Sequence, residues 1–121
     1  MPPPKGKERR RAPRVRCGGV VKVFAARTVT GTIKDVSRGG LFLQMPLPLF
    51  PVGGELPLKL SLPGDPKVYE ATGEVRYHAA LPPEEGGPGM GVKFLRLPNE
   101  AEAAIASFVD AHLTAETPWR P

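Results

Sequence analysis

Two short clusters of polar side chains have residue types that could recognise a phosphorylated ligand. The first cluster consists of Arg9, Arg10 and Arg14, and the second of Asp35, Ser37, Gly39 and Gly40. A guanidinium group matches a phosphate, or the O6 and N7 edge of guanine, through two parallel hydrogen bonds, and its plane can stack on a purine. A carboxylate accepts from two adjacent donors, such as the N1–H and N2–H₂ groups of guanine, and a hydroxyl can donate or accept. Glycines allow positive φ and let a base or phosphate approach the backbone closely.

The positive charge of the chain is concentrated at its N-terminus. Residues 1–16 contain seven basic side chains and one acidic side chain, and the rest of the chain contains 10 basic and 11 acidic ones. The net charge of +5 is therefore a property of the N-terminal segment. A protein that binds long nucleic acids usually spreads Lys and Arg over a face of its folded domain. The local concentration of charge favours a small anion as the ligand.

The length and composition predict one domain with loose ends. A chain of 121 residues lies in the usual size range of a single domain. The N-terminal segment is polar and rich in proline, and Pro13 disfavours a helix there. We expect a disordered basic arm over residues 1–8, a folded domain over residues 9–113 and a flexible tail over residues 114–121.

Short β-branched and apolar segments, separated by glycine- and proline-rich turns, predict strands. The predicted strands are Gly18–Ala26, Thr28–Val36, Gly40–Gln44, Leu56–Leu62, Val68–Tyr77 and Met90–Leu95. In the second of them, alternation places Ile33 and Asp35 on one face and Val36 on the other. Six short strands at this spacing predict a mainly β fold, either a small barrel or a sandwich.

The apolar periodicity changes from two to about 3.6 after Pro98, which predicts a C-terminal helix over residues 99–113. The apolar residues that fall on one stripe of this helix are Ala101, Ile105, Phe108, Val109 and Leu113. Because such a stripe must be buried, we expect the helix to pack on the side of the barrel or across one end.

The two polar clusters, in this order, resemble the signature of the PilZ domain, the bacterial receptor module for cyclic di-GMP. That signature is RxxxR at the N-terminal edge of a six-stranded antiparallel barrel, followed after the second strand by [D/N]xSxxG. Arg10 and Arg14 fill the first motif, and Asp35, Ser37 and Gly40 fill the second. The resemblance extends over residues 8 to about 113. Each motif alone is a weak signal, whereas both together in this architecture form a strong one.

The resemblance implies a role for each motif residue. Arg10 and Arg14 would grip the phosphates and guanine faces of cyclic di-GMP. Asp35 and Ser37 would read a guanine edge, and Gly40 would shape the loop. The ligand that the resemblance implies is cyclic di-GMP, and no further cofactor is implied.

Arg9 stands directly before the RxxxR motif, and by the same resemblance an arginine there implies capture of two intercalated ligand molecules. The expected function is that of a receptor or adaptor. Ligand binding would order the N-terminal arm, and the new surface would signal to a protein partner.

Other interpretations of the same residues remain open. An arginine-rich terminus taken alone is usually a solvated tail or a nonspecific polyanion binder, and Asp-x-Ser before Gly-Gly is usually only a tight turn. The main alternative function is a PilZ-like module that binds proteins, for instance in pilus or motility systems, and does not bind cyclic di-GMP. A small barrel that binds nucleic acid is less favoured, because the aromatic residues fall mostly in predicted core strands or the helix.

Nothing in the sequence indicates catalysis or a metal site. Cys17 is the single cysteine, and His78 and His112 have no neighbours at metal-ligand spacing. No apolar run approaches the roughly 18 residues that span a bilayer, and the N-terminus lacks the apolar segment of a signal peptide. We therefore expect a cytoplasmic protein with no membrane insertion.

Overall fold

The computed structural model describes residues 13–116, with side chains to residue 113. Its elements are β1 (Val15–Phe24), β2 (Thr28–Val36), β3 (Gly40–Gln44), β4 (Glu55–Ser61), β5 (Tyr69–Ala79), β6 (Gly89–Arg96) and the helix α1 (Asn99–Glu116), with a 3-10 turn at Pro83–Glu85. The predicted mainly β fold with a C-terminal helix is confirmed. The predicted arm over residues 1–8 lies outside the described residues. The helix continues to Glu116, so it extends three residues beyond the predicted end at residue 113 into the predicted tail over residues 114–121.

The strands form a closed antiparallel barrel in the order β1-β2-β3-β6-β5-β4, with β4 returning to pair with β1. In this order β6 lies between β3 and β5, although β3 and β6 are far apart in the sequence. The turn after β2 is thereby brought next to residues of β5 and β6.

The core contains side chains from every strand and from one face of α1. The alternation of β4 buries Leu56, Leu58 and Leu60 while the residues between them are exposed or partly exposed. Burial of each such side chain contributes about 1.5–3 kcal/mol. The helix packs against β1 and β5. Its buried residues Ala101, Ile105, Phe108 and Val109, with Leu113 partly buried beside them, confirm the predicted stripe.

Strand β1 begins earlier than predicted. It starts at Val15, which pairs with Val36 and is buried, and not at Gly18. The β1–β2 register shifts between Arg16 and Gly19, and Gly18 has a φ of +77°. This irregularity interrupts the alternation, so the pattern in the sequence hides the first residues of the strand.

A second irregularity corrects the predicted faces of β2. Ile33 pairs with Leu43 and Asp35 pairs with Phe42, so Lys34 is an extra residue without its own partner on β3. Such a bulge resets the alternation of the strand. Val36, and not Asp35, joins Ile33 in the core. Asp35 is left partly exposed, where a ligand can reach it.

Candidate ligand-binding cleft

Arg14 and Asp35 form an ion pair at the start of β1. Arg14 precedes β1, and Asp35 lies near the end of β2 opposite Arg16. Nη1 of Arg14 donates a hydrogen bond to Oδ1 of Asp35 at 2.5 Å. The side chains are 44% and 25% exposed, respectively, so the pair is open to solvent and to a ligand. The structure thus brings together one residue from each predicted motif.

Ser37 closes the turn between β2 and β3. Its backbone N–H donates to the carbonyl oxygen of Gly40 at 2.8 Å. Its hydroxyl accepts from the N–H of Gly39 at 3.2 Å and lies 3.4 Å from the carbonyl oxygen of Gly40. Ser37 is buried, with 4% of its surface exposed. The side chain therefore shapes the turn and also lines the cleft described below.

The two glycines of this turn differ in what requires them. Neither Gly39 nor Gly40 has a positive φ, so the conformational reason expected from the sequence is wrong. A Cβ on Gly40 would lie 2.2 Å from the carbonyl oxygen of Val92, whereas a Cβ on Gly39 would meet nothing within 4 Å. Gly40 is thus needed because β6 approaches closely, and Gly39 faces open space.

Beside this turn lies a cleft of about 440 Å³. Its lining residues from the first part of the chain are Arg14, Ser37, Gly39 and Gly40. The lining residues from β5 and β6 are Arg76, Tyr77, Gly91, Val92 and Lys93. The lining contains three basic side chains and no acidic one. Asp35 is not a lining residue, but it is hydrogen-bonded to the lining residue Arg14. Such a concentration of one sign of charge attracts anions.

A bulge on β5 places Arg76 in this cleft. Val75 pairs with Val92 and Tyr77 pairs with Gly91, so Arg76 is an extra residue without its own partner on β6. Bulges redirect side chains and are frequent beside functional sites. Lys93 enters the cleft from β6, where it is paired with Gly40 on β3 and Glu74 on β5.

Tyr77 gives the cleft a flat aromatic surface. Tyr77 is 45% exposed. The ring lies over Gly91, and its centroid is 6.2 Å from that of Phe42 at an interplanar angle of 30°. An exposed aromatic face of this kind can stack with a base.

Cys17 lies near Asp35, but its environment does not favour reactivity. Burial raises the pKa of the Cys17 thiol, a hydrogen bond with the backbone of Gly19 opposes this, and the charge of Asp35 raises the pKa further. A thiol with a raised pKa remains protonated and is a weak nucleophile. Within residues 13–116, no group of three His, Cys, Asp or Glu side chains could hold a metal ion.

The structure gathers four of the predicted site residues in and beside one cleft: Arg14, Asp35, Ser37 and Gly40. Arg9 and Arg10 lie outside the described residues. Arg76, Tyr77 and Lys93 were not predicted from the sequence, because they reach the cleft through the pairing of β6 with β3 and β5. Gly91 within a strand was a usable signal, since such a glycine often marks a close approach of other groups.

The sequence matches the PilZ domain family over residues 8–111, and the chain belongs to this family. No curated protein matches it. Among the residues that the structure describes, no helix is both long and apolar enough to cross a membrane.

Solved structures with a similar fold include the inhibitor of motility MotI/DgrA from Bacillus subtilis, with a TM-score of 0.79 and 19% identity over 96% of this chain and 58% of that one. The PilZ domain of YcgR from Escherichia coli with c-di-GMP has a TM-score of 0.66 and 14% identity, over 88% of this chain and 93% of that one. The complex of K. pneumoniae MrkH with c-di-GMP has a TM-score of 0.71 and 20% identity, over 91% of this chain and 54% of that one. The chain thus spans little more than half the length of MotI and of MrkH. At these identities the likeness is one of fold.

Proposed function

We propose that this protein is a cyclic di-GMP receptor that binds its ligand in the cleft beside Arg14 and signals to a protein partner. The observation that carries the proposal is the Arg14–Asp35 ion pair at the edge of a basic cleft that Ser37 and Gly40 also line. The PilZ family membership supports it, as do the related folds solved with c-di-GMP.

The ion pair suits ligand binding because it uses only part of each partner. Arg14 donates to Asp35 through Nη1, which leaves the other guanidinium N–H groups for a phosphate or for the O6 and N7 edge of guanine. Asp35 accepts through one lone pair of Oδ1, which leaves Oδ2 and the second lone pair of Oδ1 for the N1–H and N2–H₂ donors. The two side chains hold each other near their binding positions, so less ordering is required when the ligand arrives.

Tyr77 supplies an apolar contact for a base. A guanine that enters the cleft would stack on the exposed ring, while the carboxylate of Asp35 recognises its polar edge. Stacking alone tolerates any base. Discrimination in favour of guanine therefore rests on the hydrogen bonds of Arg14 and Asp35.

The N-terminal arginines complete the proposed mechanism. Arg14 lines the cleft, and Arg9 and Arg10 precede it by five and four residues in the sequence. The negative charge of the ligand would draw Arg9 and Arg10 onto it, and the resulting surface would be the one that a partner recognises. Trypsin cleavage at Arg9–Arg11 should slow at least tenfold in saturating cyclic di-GMP. An unchanged cleavage rate would contradict this part of the mechanism.

The decisive experiment is calorimetric titration of the purified protein with cyclic di-GMP, with GMP as the control ligand. Saturable binding should be lost in Arg14→Ala and Asp35→Ala and kept in Lys22→Ala, a charge change on β1 outside the cleft. A stoichiometry of two ligands per chain would support the intercalated dimer implied by Arg9. If the folded wild-type protein does not bind, the protein-interaction module becomes the better interpretation.

A further inference from the structure

Arg76 and Lys93 place two positive charges on the wall of the cleft formed by β5 and β6. Arg14 lines the same cleft from the start of β1. Cationic side chains that share a cleft repel one another, which is unfavourable unless an anion compensates them. Arg14 is already paired with Asp35, so the positive charge that is left for a ligand lies mainly at Arg76 and Lys93.

Within the described part of the chain, Arg76 forms one long ion pair, with Glu74, and Lys93 forms none. Nη1 of Arg76 lies 4.0 Å from Oε1 of Glu74, which is too long for a hydrogen bond. Lys93 has no carboxylate at ion-pair distance among residues 13–113, although Glu74 is its cross-strand neighbour. By contrast, Arg38 on the adjacent turn is paired with Asp110 of α1 at 3.2 Å. Arg76 and Lys93 thus keep most of their hydrogen-bond donors available.

We propose that Arg76 and Lys93 form a second anion subsite, which holds one phosphate of a cyclic dinucleotide while Arg14 binds the opposite side of the ligand. This inference rests on the proposed function. A cyclic dinucleotide carries two phosphates on opposite sides of its ring, so it needs cations in two separate places. The β5 bulge supplies the second place, because it turns Arg76 toward the cleft beside Lys93. The backbone of both residues is fixed in the barrel before the ligand arrives.

The subsite has a consequence for specificity. A mononucleotide such as GMP can satisfy the Arg14 side of the cleft but has no second phosphate for Arg76 and Lys93. The two residues therefore favour the cyclic dinucleotide over GMP. Their removal should weaken the binding of the first ligand much more than that of the second.

The test is calorimetry on the full chain with Arg76→Ala, Lys93→Ala and the double variant. Each single change should weaken cyclic di-GMP binding about tenfold, as expected for a hydrogen bond to a charged group, and the double change should weaken it further. The matched control is the double variant Lys22→Ala/Arg96→Ala, which removes the same charge outside this cleft. It should bind within about twofold of wild type, as expected if exposed charges outside the cleft contribute little. Thermal unfolding of each variant checks that the barrel is intact.

Two outcomes separate this inference from the proposed function. If the wild type binds, Arg14→Ala abolishes binding and the Arg76/Lys93 double variant matches its control, the subsite is refuted while the receptor function stands. If the wild type does not bind cyclic di-GMP, the receptor function is refuted, and titration with inorganic pyrophosphate decides the subsite. NMR shifts of the Arg76 Nε–H and Lys93 Nζ groups on that titration would support an anion subsite. Unchanged shifts would overturn it.

Discussion

The ring of Tyr77 occupies the space that a side chain on residue 91 would need. A Cβ built on Gly91 would lie 2.1 Å from the tyrosine ring. The two residues are paired across β5 and β6, next to the bulge at Arg76. The position of the aromatic ring in the cleft therefore depends on the absence of a side chain at Gly91.

Replacement of the Tyr77 ring should weaken ligand binding without unfolding the barrel. Tyr77→Ala should reduce the affinity for cyclic di-GMP about tenfold or more, because stacking on an aromatic side chain is worth about 1–3 kcal/mol per base. Tyr77→Phe keeps the ring and should bind nearly as well as wild type. Calorimetric dissociation constants for the two variants provide the measurement.

Gly91→Ala offers an independent check on the same surface. The added methyl group must displace the Tyr77 ring, so the variant should lose affinity although Tyr77 is still present. Equal affinities of Tyr77→Ala, Gly91→Ala and wild type would show that no base stacks here.

Arg14 and Asp35 should matter far more for binding than for stability. Exposed ion pairs contribute only about 0.2–1 kcal/mol to stability, and nearly half of the Arg14 side chain of this pair is exposed. Arg14→Ala and Asp35→Ala should therefore change the free energy of unfolding in urea by less than about 1 kcal/mol. In calorimetry, the same variants should lose at least tenfold in affinity. A large loss of stability in either variant would mean that the pair supports the fold and not the site.

An added methyl group should destabilise the protein at Gly40 and have little effect at Gly39. Gly40→Ala places a Cβ against the backbone oxygen of Val92, so β3 must move away from β6, at a cost of about 1–3 kcal/mol in the free energy of unfolding. Gly39→Ala has open space and should stay within about 0.5 kcal/mol of wild type. Urea unfolding curves for the pair measure this difference. Similar stabilities would contradict the close approach of β6 to residue 40.

The loop before β5 should lose stability in acid. The hydroxyl of Tyr69 donates to Oδ2 of Asp65 at 2.7 Å and the N–H of Lys67 donates to Oδ1 at 3.0 Å. These hydrogen bonds, the one from Tyr69 first, lower the pKa of Asp65. A lowered pKa in the folded state stabilises the protein above the unfolded-state pKa of about 4, and this contribution disappears as the pH falls through the folded-state value.

Tyr69→Phe tests this pH dependence, because it removes the hydroxyl and keeps most of the ring packing. The variant should have a lower urea midpoint than wild type at pH 6. The difference should shrink as the pH is lowered below about 4. The bond to Asp65 also raises the pKa of Tyr69, so the difference should shrink again above about pH 10. A difference that is constant between pH 3 and pH 6 would exclude the carboxylate as its source.

The sequence predicted the architecture well because barrel strands and an amphipathic helix leave local periodic patterns. The apolar stripe from Ala101 to Val109 is confirmed, as are the six strands and the turns between them. Two wrong predictions, which concern the start of β1 and the faces of β2, occur where an extra residue interrupts the pairing between two strands. At Lys34 the bulge moves Asp35 out of the face of Ile33, and no local pattern reports such an insertion.

The candidate site was predicted only where its residues are close in sequence. Asp35, Ser37 and Gly40 lie on one turn and form a recognisable motif. Arg76 and Lys93 join them because β6 pairs with both β3 and β5, which is a property of the closed barrel. Their positions in the cleft depend on long-range pairing and on the β5 bulge, and neither is encoded in the spacing of residues along the chain.

The pairing of β4 with β1 gives each of the six strands a neighbour on both sides. Many signalling domains recruit an extended peptide as an additional strand along an open sheet edge. Among the described residues, this closed barrel leaves no strand with a whole edge free, which also protects it from edge-to-edge aggregation. We therefore expect a partner that docks on this barrel to recognise mainly side chains, which single substitutions on the outer surface can identify.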